Sequence, residues 1–389
     1  MFTPDKPQNY FLSQVHQPFF VSGIIFAVIV MLMFMLGYKG ILPLQVDAVL
    51  FHSYTLFYIV FTQFFTGFIF TTFPRFCQSE VIPKSYYMKS WSLVQIGSVI
   101  VLLGAVSTSI LFYIGMIVLL LAYITIVYAL WRIYAQSDLS VRHDPKWILS
   151  GFMMGLLGHL LYLYAFSSGT FNPAPFVLNL FLVYTAFSVA QRMVPFFSHV
   201  MPGASVSFAP IVFFALVAKV VTAYLGFDLL SGIVSVVLGL YMLKEIVRWK
   251  LPFASSPAIL KILHISLYWL IAAFILGGIV SILEGLLTLN FMALETHMLA
   301  LGFVTTILVG FGTRVTLGHS GQPPHADATT LKIFYLLQVV VFVRMLFSII
   351  MGLDLNMFWM FDLSITMWLL LFLVWGYRFA PVLIKGKKL

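Results

Sequence analysis

Apolar and polar positions along this chain segregate into long blocks. Runs of about 20 apolar residues, each able to cross a bilayer as a helix, are separated by short polar stretches. Twelve such runs are legible, at approximately 19–38, 51–72, 88–107, 109–131, 147–168, 173–191, 207–226, 229–248, 258–283, 291–313, 331–350 and 356–377. The pattern predicts an all-α polytopic membrane protein, a single transmembrane helical bundle over residues 1–389. Only Val106-Ser107-Thr108-Ser109 separates the third run from the fourth. The first run is too long for the apolar region of a signal peptide, and no small-residue cleavage pattern follows it, so it reads as a retained span.

Composition sharpens this picture. The chain is 62% hydrophobic and 8% charged, against about 25% charged residues in soluble domains. So few charges cannot cover the surface of a water-soluble protein of 389 residues. The single cysteine, Cys77, excludes an intramolecular disulfide and a cysteine-rich metal site.

Charge sets the orientation. Of the 21 Lys and Arg, all but Lys39, Lys219 and Arg344 fall at the termini or in the loops after even-numbered runs. The opposite side takes Asp47, Asp228, Glu284, Glu295, Asp354 and Asp362. By the positive-inside rule both termini are expected in the cytoplasm. The net charge of +9 follows from that asymmetry and does not indicate nucleic-acid binding. Arg344 and Asp362 flank the short 351–355 turn at similar depth, where a structural ion pair is expected. Lys219 lies near the middle of the seventh run, with no partner evident in the sequence.

An ionisable group at membrane depth costs about 2.5–3.5 kcal/mol on insertion scales, so each one marks a candidate site. Histidines separate by depth. His16, His143 and His325 lie in flanking or loop positions and are expected to be solvated. His52 opens the second run, and His297 lies about 9 Å into the tenth from the same side, at about 1.5 Å per residue. His159 is near mid-membrane in the fifth run and His264 lies toward the cytoplasmic end of the ninth. Two imidazoles from different helices at similar depth suit the axial positions of a haem iron, and imidazole also suits copper. A histidine hydrogen-bonded between helices would look the same in the sequence.

The tenth run also carries Gly302, Thr306, Gly310 and Thr313, a small face nearly opposite His297 at helical spacing. Arg192 and Arg314 close the sixth and tenth runs. Either could bind a carboxylate through paired hydrogen bonds, such as a haem propionate, or anchor the helix among lipid phosphates.

At these residues the chain resembles the NnrS family, haem- and copper-containing membrane proteins of the bacterial nitric oxide response. Thr313-Arg314-Val315-Thr316-Leu317-Gly318-His319-Ser320-Gly321 looks like the family's T-R-x-x-L-G-H-T-G signature. Arg192-Met193-Val194-Pro195-Phe196-Phe197 is similar to its R-x-I-P-F-F segment, and Leu263-His264 through Trp269 to its L-H-x-x-Y-x-W helix. One departure stands out: the family's second helix typically opens H-A-H-E-M, and here it reads His52-Ser53-Tyr54-Thr55-Leu56.

The resemblance implies a haem-binding, and in relatives copper-binding, protein of the bacterial inner membrane. It would respond to nitric oxide or a small nitrogen oxide and exchange electrons with a respiratory donor. His52 and His297 are the expected haem ligands, with His159 and His264 as further metal-ligand candidates and Arg192 and Arg314 as cofactor-binding residues. Two other readings stay open: a twelve-helix secondary transporter in which Lys219 acts as a substrate or proton group, and an assembly partner of a respiratory complex.

Overall fold

A computed structural model describes residues 10–200, 205–287 and 289–389. Lys6, which entered the charge asymmetry, lies outside the described residues. The helices are α1 (His16–Tyr38), α2 (Ala48–Phe76), α3 (Lys84–Ser107), α4 (Ser109–Gln136), α5 (His143–Ser168) and α6 (Ala174–Phe197). They continue as α7 (Phe208–Tyr224), α8 (Asp228–Arg248), α9 (Ala258–Leu287), α10 (Leu294–His319), α11 (Ala328–Gly352) and α12 (Trp359–Lys385). Eleven are long and apolar enough to span a membrane, and α7 is a shorter apolar helix. Among the described residues the twelve expected runs are thus twelve helices, and the chain is a polytopic membrane protein.

Local chemistry explains the boundaries. The Asp47 carboxylate accepts from the Leu50 amide at 2.8 Å and caps α2. The break between α3 and α4 is one residue, Thr108, held extended with its hydroxyl accepting from the Leu111 amide at 3.2 Å. Gly104 makes that tight hairpin possible, because a Cβ there would lie 2.1 Å from the Phe112 backbone nitrogen.

The chain forms two compact units. The first comprises residues 1–142, 312–324 and 372–389, and the second 143–311 and 325–371. In the first, α1 packs on α2, and α3 packs on α4. In the second, α9 packs on α8 and on the first half of α10, and α5 packs on α6.

A feature not expected from the sequence recurs every fourth helix. Helices α2, α6 and α10 each widen to π-helical i→i+5 bonding, over Leu56–Phe61, Val177–Val183 and Met298–Thr305. Widening removes carbonyls from the regular ladder, and polar side chains take them up. Thr62 donates to the Phe57 carbonyl at 2.8 Å, Thr305 to Ala300 at 2.7 Å, and Asn179 to Pro175 at 2.8 Å. Single-turn π segments cluster at functional sites. These three helices are also the most enclosed, with 89%, 78% and 78% of their apolar windows buried. In the second unit the widened segments of α6 and α10 pack on one another.

Candidate cofactor site

The start of α10 is built from its backbone outward. Met292 and Ala293 sit consecutively in the left-handed region, at φ 44° and 56°. For residues with a Cβ this costs of order 1–3 kcal/mol each and persists only where the surroundings enforce it. Here they do. The Met292 carbonyl accepts from the Arg344 guanidinium at 3.3 Å and from the Ser348 hydroxyl at 3.1 Å. The Phe291 amide donates to the Glu284 carboxylate at 2.6 Å, and the Met292 amide to the Asn290 side chain at 2.9 Å. Arg344 also bonds Ser348 and lies 5.2 Å from the Phe347 ring, so it serves this turn in place of the expected ion pair with Asp362.

The strained turn delivers one carbonyl to one imidazole. His297 Nδ1 lies 2.9 Å from the Ala293 carbonyl oxygen. A carbonyl only accepts, so Nδ1 carries a proton, and in the neutral ring Nε2 bears the lone pair. Metal-ligating histidines are oriented by such a bond, which fixes the tautomer and raises the basicity of the ligating nitrogen. The π segment of α10 begins at the next residue, Met298.

Glu295, one turn into α10, is held from two other helices. Lys219 of α7 places its ammonium 3.2 Å from one carboxylate oxygen, and Ser235 of α8 donates to the other at 3.0 Å. Gly277 of α9 leaves the room, since a Cβ there would stand 2.4 Å from Glu295 Cγ. Lys219, whose partner the sequence did not reveal, is thus paired at the base of the helix that carries His297. On the small face of α10, a Cβ at Gly302 or Gly310 would meet Trp269 or Leu263, both on α9.

The remaining candidates are placed as follows. His52 belongs to the first unit, where its half-buried ring stacks on Phe34 at 4.2 Å. His297, His159 and His264 belong to the second. His159 is fully buried on α5. His264 is fully buried on α9, with Nε2 2.8 Å from the Ser198 hydroxyl and Nδ1 unpartnered. Arg192 donates to Asp144 at 3.0 Å within the second unit, and Arg314 is half-buried in the first. Among the described residues, no three His, Cys, Asp or Glu side chains gather as a metal-binding group. A haem held by single imidazoles needs no such cluster, and the donor chemistry of His297 fits an axial ligand.

One expectation is corrected here. His16, read as a solvated flank, is 2% exposed and packs against Phe20 and His319. The supporting residues of His297 were missed for a physical reason. Neither Met292 nor Ala293 is a residue type that advertises a left-handed turn, and Lys219 and Ser235 reach Glu295 from distant helices.

No curated protein matches the chain. The family model for NnrS protein matches residues 10–387, nearly its whole length. The chain belongs to the NnrS family.

Proposed function

We propose that this chain is a haem-binding membrane protein of the bacterial response to nitric oxide, with His297 as an axial ligand of the iron. The observation that carries the reading is the bond from His297 Nδ1 to the Ala293 carbonyl, fixed by a strained turn that Arg344 and Ser348 hold in place. Two consecutive left-handed residues at the base of one imidazole motivate the ligand reading.

Each residue then has a task. Ala293 holds the proton on Nδ1 and aims Nε2. Lys219 and Ser235 lock Glu295, and with it the first turn of α10, against α7 and α8. Buried Met298, Leu299 and Phe303 keep water from the helix just beyond. His159 and His264, in the same unit as His297, are further proposed ligands, and His52, in the first unit, is a separate metal-ligand candidate. Arg192 is proposed to bind a carboxylate of the cofactor, as it already holds that of Asp144, and Arg314, in the first unit, is a separate carboxylate-binding candidate. When bound, haem supplies a centre for diatomic ligands and one-electron chemistry.

Copper on α2 is not part of this proposal. The position where relatives carry a second histidine is Tyr54, fully buried against Tyr58 and Phe112 at 5.3 and 5.9 Å. The permease reading depended on Lys219 as a substrate or proton group, and its ammonium is engaged by Glu295. The charge asymmetry supports a bacterial inner-membrane location with cytoplasmic termini. Nitric oxide is small and uncharged and would reach the site through lipid; a respiratory electron donor is the proposed partner. The test is the spectrum of detergent-purified protein, as isolated, reduced and exposed to nitric oxide. A Soret band that shifts with nitric oxide supports the proposal, and its absence in protein purified from haem-supplemented cells removes it.

A further inference from the structure

We propose that Gln95, on α3 of the first unit, forms with Trp91 a lipid-facing site for a quinol, the amide carbonyl of Gln95 accepting a quinol hydroxyl. Gln95 lies near the middle of the 24-residue helix α3, about 16–18 Å from either end at about 1.5 Å per residue. Its side chain is half-buried and the neighbouring Ile96 and Val99 are exposed, so this stretch of α3 meets lipid. A polar side chain held at that depth is costly and marks a candidate site.

The neighbours of Gln95 fix which end of its amide points where. Gln63 of α2 donates through Nε2 to the Ile59 carbonyl at 2.9 Å, so its Oε1 is the end left for α1 and α3. That oxygen accepts from the Ser22 hydroxyl of α1 and, at 2.9 Å, from Gln95 Nε2. Gln95 Nε2 also donates to the Trp91 carbonyl at 3.2 Å. The Trp91 indole N–H donates to the Pro18 carbonyl and the Ser22 hydroxyl, each at 3.1 Å. These donors tie α1, α2 and α3 together, as interhelical hydrogen bonds do. The Gln95 carbonyl oxygen has no part in that: it accepts from no donor among the described residues.

An idle acceptor at the bilayer centre selects its ligand. Water is scarce in the hydrocarbon, and an ion is too costly to bring there. Phospholipid headgroups lie at the interface, toward the ends of the span. What remains is an uncharged, lipid-soluble molecule with a hydroxyl to donate. Trp91, half-buried and one turn before Gln95 on the same face, offers an aromatic surface to a ring. A quinol has both ring and hydroxyls, and its choice among such molecules rests on the respiratory electron donor proposed above. The same acceptor discriminates by oxidation state, because a quinone carries carbonyls in place of the hydroxyls and would bring two acceptors together.

The experiment titrates the full-length protein in phosphatidylcholine nanodiscs, without oxygen, with a short-chain benzoquinol and separately with its benzoquinone. Gln95→Leu and Gln95→Ala are titrated alongside, with gel filtration to confirm folding. The wild type is expected to bind the quinol saturably and at least ~10-fold more tightly than the quinone, and the variants to lose that preference. No saturable quinol binding, equal affinity for the two forms, or an undiminished preference in a folded variant would each overturn the site. Haem content is read on the same samples, so failure here is distinguishable from failure of the haem proposal.

Discussion

The ammonium of Lys219 lies 3.2 Å from the carboxylate of Glu295, joining the middle of α7 to the first turn of α10. Both side chains are largely enclosed, at 11% and 20% exposure. Breaking such a pair on one side leaves an uncompensated charge, which costs about 3–5 kcal/mol, whereas removing both partners is often close to neutral. Lys219→Met and Glu295→Gln are each expected to lower stability by about 3 kcal/mol, and the double variant to recover most of the loss. Thermal unfolding in detergent reads this directly. Additive losses in the double variant would show that the two residues act independently.

Gly277 gives an independent check on the same corner. A methyl group there would meet the Glu295 side chain at 2.4–3.0 Å. Gly277→Ala should destabilise by about 1–3 kcal/mol through overpacking. In a Glu295→Gly background, where Cβ, Cγ and Cδ are all gone, the same change should cost much less. An equal cost in both backgrounds would place the clash elsewhere.

The turn before α10 can be relaxed deliberately. Ala293→Gly removes the Cβ penalty of a left-handed residue and should raise stability by about 1 kcal/mol. The same change loosens the carbonyl that orients His297, so the haem band is expected to broaden or shift while the unfolding temperature rises. Higher stability with an unaltered spectrum would mean that Ala293 strain has no bearing on the ligand.

Much of this molecule is written in its hydrophobicity. The twelve helices and the closeness of the third to the fourth follow from the apolar runs. What joins distant helices is not written there. His16 sits at a polar entry to α1 and reads as solvated until α10 closes over it with His319. Lys219 carries no local sign of Glu295, because nothing in the sequence says that α7 and α10 meet. The widened segments of α2, α6 and α10 leave no hydrophobic period of their own, and their one signal is a polar side chain five residues after the carbonyl it satisfies, as at Thr62, Thr305 and Thr306.

Those hydroxyls give another test. Thr305→Val and Thr306→Val each delete a bond to a carbonyl freed by the π segment, at 2.7 and 3.1 Å. Side-chain hydrogen bonds within membranes are worth about 0.6 kcal/mol on average and reach about 1.7. Each single variant should lose about 1 kcal/mol in detergent unfolding. A neutral double variant would indicate that the π geometry is held by packing against α6 and α9.

The central claim is that His297 binds haem iron, and one comparison addresses it most directly. Wild type and His297→Ala are purified from haem-supplemented cells at matched yield, and absorption spectra and iron content are taken on the same samples. The account predicts a Soret band and about one iron per chain in the wild type, both strongly reduced in the variant. An unchanged spectrum in a folded His297→Ala protein, or no haem in either, would contradict it.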